Sequence, residues 1–386
     1  MAIFRNKSFI LVYLHSALQS IAMYGGEAFA FVYLLAAGVP VAVVLLSIGA
    51  MFGSRILFRR MVLPAVKRLG LRRTLALAIV LEAATYPVLS QVDSAGPLLA
   101  AYLAMWAISS CFYWTTYHTY VSLVGDNDVR GSQVSFMELL GAVMGIVAPL
   151  ARGFMLTLFS PLVAFGSVGA IMAASAIPIL LGPDVAIAPD ASVPPATRRQ
   201  ARLMLFSDGL RSGSFHFTWL VALFITLGSS FSAFGGAMAL AGLAGALAGL
   251  VVGRAIDLGK GLVAVRIGFG VLALAILARA FGYSLPWTAI AANALAAAAW
   301  PIYNTGFMSR VYQLSKQSAC PLRFTVIAEG GWDLGTATGC LFSALLVHLG
   351  FSFFWPLALA LVGCVLGYVV VSRSLTHDPV AQVAIP

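Results

Sequence analysis

Runs of about twenty apolar residues, interrupted by short clusters of charge, recur along the whole chain. Each run can cross a hydrocarbon core as a helix at a rise of about 1.5 Å per residue. The alternating apolar and polar positions of a membrane barrel strand are absent from them. Their limits predict twelve helical spans, at 8–35, 40–58, 74–92, 97–124, 132–157, 160–182, 203–227, 229–252, 263–282, 286–311, 324–348 and 350–372. Between the sixth and seventh lies GPDVAIAPDASVPPATRRQ, proline-rich and polar, as expected of a linker. The expected organisation is an N-terminal six-helix bundle (1–182), a cytoplasmic linker (183–202) and a C-terminal six-helix bundle (203–386).

An internal repeat supports that division. Trp114-x-x-Tyr117-His118 aligns with Trp300-x-x-Tyr303-Asn304, Arg130 with Arg323, and Gly141-x-x-x-Gly145 with Gly335-x-x-x-Gly339. A duplicated, polar-studded helix pair in an oily chain points to a membrane protein of two pseudo-symmetric halves.

Composition sharpens the picture. The 386 residues are 61% hydrophobic and only 9% charged, and the mean hydropathy is +0.97, which excludes a water-soluble fold. A net charge of +10 invites a nucleic-acid partner, but the basic residues gather in alternate loops. Arg55, Arg59, Arg60, Lys67, Arg68, Arg72 and Arg73 are read as the loop between spans two and three, and the opposite loops hold little beyond Arg279. That asymmetry places both termini in the cytoplasm and explains the charge without nucleic acid. Cys111, Cys320, Cys340 and Cys364 show no CxxC spacing and read as reduced packing residues. The first apolar run continues through Glu27 without a cleavage signature, so it reads as a retained span. Metal-ligand, nucleophile-elbow and phosphate-loop motifs are missing, which argues against an enzyme, a cofactor and an ATP-driven pump.

MVLPAVKRLGLRRTL after span two, and more closely Gly253-Arg254-Ala255-Ile256-Asp257-Leu258-Gly259-Lys260 after span eight, resemble the cytoplasmic loop of the major facilitator superfamily, roughly G-x-x-x-D-R-x-G-R-R. The resemblance extends to the six-linker-six layout. It implies an all-α fold of twelve transmembrane helices and a cytoplasmic gate at Lys67, Arg68, Arg254 and Asp257. Lys67 stands where the family has an acid and Leu63 where it has glycine, so only the second copy keeps an acid-dependent latch. Gly141, Gly145, Pro149 and Gly153 resemble the superfamily's antiporter motif, with Ala148 and Arg152 in place of two glycines.

Ionisable groups within a bilayer are costly, so each needs a role. Glu27 shares a stripe of span one with Ser16 and Ser20 and is a candidate coupling acid or substrate ligand. Glu138 and Arg152 share a face of span five but lie about 21 Å apart along it, so each needs a partner elsewhere. Arg152 either faces an anionic substrate group or Glu27, or snorkels to the interface. Glu329 and Asp333 sit one turn apart on span eleven, and two such acids in a low dielectric tend to keep a proton between them. They serve proton coupling or join the gate through Arg323 or Arg310. Tyr117, His118, Tyr303 and Asn304 are candidate substrate contacts, with Trp114 and Trp300 as stacking walls, or else packing residues inherited with the duplication. Asp208 and Arg211 are spaced to pair.

The expectation is a secondary transporter, monomeric, among the lipids of the bacterial inner membrane. It moves a small organic or amphipathic molecule by rocker-switch alternating access, with protons as coupling ion and efflux by antiport as the favoured form. An organic-anion carrier anchored on Arg152, and a lipid scramblase or non-transporting scaffold, remain as alternatives.

Overall fold

A computed structural model describes residues 5–125, 130–187, 191–255, 261–316 and 318–376. Twelve helices and no strand occur among them. The first six are α1 (Lys7–Ala36), α2 (Val41–Leu69), α3 (Leu71–Leu89), α4 (Pro97–Val124), α5 (Arg130–Leu158) and α6 (Pro161–Leu181). The second six are α7 (Pro195–Ser212, Gly213–Phe217 and Thr218–Thr226), α8 (Phe231–Ala255), α9 (Gly261–Gly282), α10 (Pro286–Lys316), α11 (Pro321–His348) and α12 (Phe354–Ala358 and Ala360–Thr376). Eight of these rods are long and apolar enough to cross a membrane. The others are α3, α7, α10 and α11, and α7 and α11 bear the acids Asp208, Glu329 and Asp333.

Local sequence explains where the rods begin and end. Proline opens α4, α6, α7, α10 and α11, at the position where a missing N–H costs nothing. The side chains of Asn6 and Ser160 cap α1 and α6. Gly38 and Gly228, both at positive φ, close α1 and α7 with the same wrapped turn: Val39 N donates to Leu34 O and Ser229 N to Phe224 O. The equivalent ends of the two halves are thus built alike.

Two boundaries correct the sequence reading. Helix α2 runs on to Leu69 through Pro64, so Arg55 and Arg59 lie within the rod and are buried rather than in a loop. Helix α7 begins at Pro195, making the last eight residues of the expected linker its first two turns. In both places the charge that suggested a loop is carried by a continuous helix.

Within the first six helices α3 packs on α4 and α6, and α1 on α5; within the last six α11 packs on α7, and α10 on α8 and α9. Two pairs make most of the contact between the halves, α2 with α11 and α5 with α8. The repeat relates α5 to α11 and α2 to α8, so the two seams are copies of one packing arrangement. Their chemistry differs. Along α5–α8, a Cβ on Gly242 would stand 2.5 Å from the Gly145 carbonyl oxygen, and one on Gly153 would stand 2.6 Å from that of Phe231. Only hydrogen fits where backbones approach this closely.

Gly242→Leu therefore overpacks the α5–α8 seam and is expected to cost about 1–3 kcal/mol. The thermal midpoint of the purified protein should fall accordingly. Gly236→Leu, where a Cβ meets nothing within 4 Å, should leave it nearly unchanged.

Candidate functional site

The α2–α11 seam is held by charge. Arg55 and Arg59 are one turn apart on α2 and face α11 together. Asp333 lies fully buried between them. Arg59 donates through Nε to Asp333 Oδ2 at 3.0 Å and through Nη2 to the same oxygen. Nη1 of Arg59 donates to Thr115 Oγ1 of α4 at 2.9 Å. The Arg55 Nε stands 3.0 Å from Asp333 Oδ1 in a charge contact without hydrogen-bond alignment, and its Nη2 stands 3.6 Å from the Glu329 carboxylate. Arg55 also lies over the Phe52 ring at 5.2 Å. A planar guanidinium suits this combination of carboxylate and aromatic partners better than an ammonium would.

More carboxyl groups approach the seam from the first half. Glu27 of α1 and Glu82 of α3 interact electrostatically with each other and with Arg55. One oxygen of the buried Glu82 has no hydrogen-bond partner among the described residues. Tyr86 and Tyr102 stand close enough to both acids to feel their charge.

Trp332 carries the network into the second half. Its indole N–H donates to Asp208 Oδ2 at 3.0 Å. Asp208 Oδ1 accepts from Tyr303 at 2.7 Å and from Arg211 Nη2 at 2.6 Å, forming the pair its spacing predicts. Arg211 in turn lies 5.3 Å from the centroids of both Trp300 and Tyr303. At mid-depth, rings from both halves fill the space between them: Phe52 meets Phe217 at 5.2 Å and Trp332 at 5.1 Å, and Phe31 meets Phe217 at 5.7 Å.

The remaining candidates fall into separate groups. Tyr303 joins the Asp208 pair while Trp300, 41% exposed, lies over Arg211. Tyr117 turns inward, sharing a hydrogen bond of 2.9 Å with Ser16. His118 stacks on Trp114 at 5.5 Å and lies within electrostatic reach of Glu329. The matching tryptophan–tyrosine pairs of the repeat thus keep different partners. Arg152 is held by the first half itself, donating to the carbonyls of Gly25, at 2.7 Å, and Ala164. Lys67 and Arg68 occupy the last turn of α2. Asp257 lies outside the described residues, and the side chains of Glu138 and Arg254 are not among those described.

Sequence reasoning counted Arg55 with the loop charges although it falls inside the 40–58 span, and ended that span one residue before Arg59. It also passed over Glu82, a lone acid in span three, and Trp332, whose position between Glu329 and Asp333 was the available signal.

No protein-family model matches the chain, and no curated protein matches it in sequence. Solved structures match it in fold. One is a POT family transporter in complex with 5-aminolevulinic acid, with a TM-score of 0.67, 13% identity, and coverage of 99% of this chain and 97% of that one. Another is a POT family transporter in complex with a thioalcohol-conjugated peptide, with a TM-score of 0.68, 13% identity, and coverage of 98% and 97%. The similarity spans the whole of both chains, and with the apolar rods it makes this an integral, multi-pass membrane protein.

Asp333→Asn leaves Arg55 and Arg59 facing a neutral amide, and breaking a buried pair from one side costs about 3–5 kcal/mol. The expected result is a large drop in thermal midpoint. Replacing both partners, Arg59→Leu with Asp333→Leu, should recover part of it.

Proposed function

We propose that the chain is a major-facilitator-type secondary transporter, working by alternating access and coupled to protons. The observation that carries this reading is the charge balance at the α2–α11 seam. Asp333 contacts the guanidinium groups of both Arg55 and Arg59, Glu329 that of Arg55, and Glu27 and Glu82 interact electrostatically with Arg55. Four acids against two arginines leave two negative charges over within this cluster, and in a low dielectric that surplus has to be met by protons or by a cationic group on the cargo.

The same surplus supplies a mechanism. Arg55 divides its attraction between acids of its own half and acids of α11. Protonating Glu27 or Glu82 leaves it more firmly held by Asp333 and Glu329, which tightens the seam. Deprotonation draws it back, which loosens the seam and favours opening at the arginine-rich end. Protonation of Glu329 loosens the same seam from the opposite side. A change of one proton is thereby converted into a change in how strongly the halves adhere.

The cargo is a small organic or amphipathic molecule, entering between the halves where Phe and Trp rings now meet, with carboxyl groups at hand. The neighbouring folds hold 5-aminolevulinic acid and a peptide derivative, and cargo bearing an amine fits the carboxyl surplus here. Export in exchange for protons is the form we favour, with the arginine-rich end in the cytoplasm. The engagement of Arg152 with backbone carbonyls gives no support to an arginine-anchored anion carrier.

The test is reconstitution in liposomes containing a pH-sensitive dye, challenged with amines, 5-aminolevulinic acid, short peptides and lipophilic drugs. At least one compound should move protons, and Glu27→Gln should abolish the coupling. A panel that moves no protons, together with no uptake under an imposed pH gradient, would sink the proton-coupled reading.

A further inference from the structure

Helices α1 and α7 share an irregularity that the transport reading above does not use. Each contains a five-residue π turn, Met23–Glu27 in α1 and Gly213–Phe217 in α7. A π turn adds a residue to the helix and frees a carbonyl from the regular ladder. In both turns the third residue, Gly25 or Phe215, has its carbonyl bound by an arginine from another helix. Arg152 of α5 donates through Nε to Gly25 O at 2.7 Å, and Arg279 of α9 donates through Nη1 to Phe215 O at 2.9 Å.

Both arginines are buried, at 4% and 6% exposure, and among the described residues no carboxylate lies within ion-pair distance of either. Neutral groups supply their other contacts. For Arg152 these are Ala164 O and Ser167 Oγ; for Arg279 they are Asn293 Oδ1 at 3.0 Å and the faces of Phe215 and Trp219 at 4.2 and 4.8 Å. Arg279 Nε has no hydrogen-bond partner among the described residues. A buried charge without a counter-charge is an expensive way to satisfy a carbonyl. The repeat relates α5 to α11 and α9 to α3, so the duplication does not map one arginine onto the other. The same contact has been built twice from different helices.

Beyond each turn, the outer segment closes the molecule at the end away from the arginine-rich loops. Phe29 and Phe31 of α1 meet Phe234 and Phe217 across the halves at 5.2 and 5.7 Å. We propose that Arg152 and Arg279 are positioning residues that pin the two π turns, fixing the lean of Ala28–Ala36 and Thr218–Thr226, and that the outer side opens by swinging about these turns. This rests on the alternating-access reading.

The test uses the full chain in lipid with spin labels at Ala36 and Ile225, comparing Arg152→Gln, Arg279→Gln and the corresponding lysine variants. The parent protein should show one short distance. Each glutamine variant should add a longer population, with turnover down roughly tenfold at unchanged KM, the scale of one lost charged hydrogen bond. Lysine, keeping charge and one donor, should restore both in part. Should a glutamine variant fail to fold, the lysine variant at that position carries the test, with a smaller shift in the same direction. Parental distances in every folded variant would overturn the proposal. If transport persists while the distances stay parental, the hinge fails alone. If the distances lengthen but the parent moves no compound, the transport reading fails and the hinge stands.

Discussion

Among the described residues, the charge contacts that join the two halves at the arginine-rich side centre on one buried aspartate held between two arginines. Asp333 has no exposed surface, and its two oxygens face Arg55 and Arg59 from the opposite half. An ion pair there is a poor device for stability alone, since desolvating the charges offsets most of their attraction. Under the proposed transport cycle it suits a joint that must release, because its strength would follow the protonation of the acids around it. Apolar packing at the same place would hold the halves together whatever the proton balance.

The contrast between the two seams follows from this. The α5–α8 seam brings backbone against backbone at Gly145, Gly153, Gly235 and Gly242. Such a contact has close van der Waals packing but no charge to switch. Its copy under the repeat, α2–α11, carries a cluster of arginines and acids, Arg55, Arg59, Glu329 and Asp333, that the first lacks among the described residues. Duplication supplied one geometry, and divergence gave one copy close packing and the other electrostatics. The aromatic rings between them exclude water from mid-depth, which lowers the local dielectric and strengthens the charge contacts.

Twelve helices were legible in the sequence because long apolar runs are local signals, although α2 and α7 extend beyond the runs that mark them. Arg55 and Arg59 were not legible as seam residues, because basic clusters at helix ends usually mark loops and only the tertiary fold shows α2 continuing through them. The Asp208–Arg211 pair was legible, since both members lie on one helix at contact spacing. Partners across helices were not: nothing local tells Trp332 to meet Asp208, or Arg152 to meet Gly25. The two copies of the tryptophan–tyrosine motif sit in different surroundings, because equivalent residues after duplication need not keep equivalent partners. His118 stacks on Trp114, whereas Tyr303 serves Asp208.

The most direct measurement is the separation of α2 and the start of α11 at the arginine-rich end, read by spin labels at the exposed Met61 and Ala319 in lipid. With Asp333 intact, the account requires a dominant short distance. Neutralising it as Asp333→Asn should transfer a substantial fraction of molecules to a longer one. An unchanged distribution in a folded Asp333→Asn protein would show that the charges do not hold the halves together, and would contradict the account at its centre.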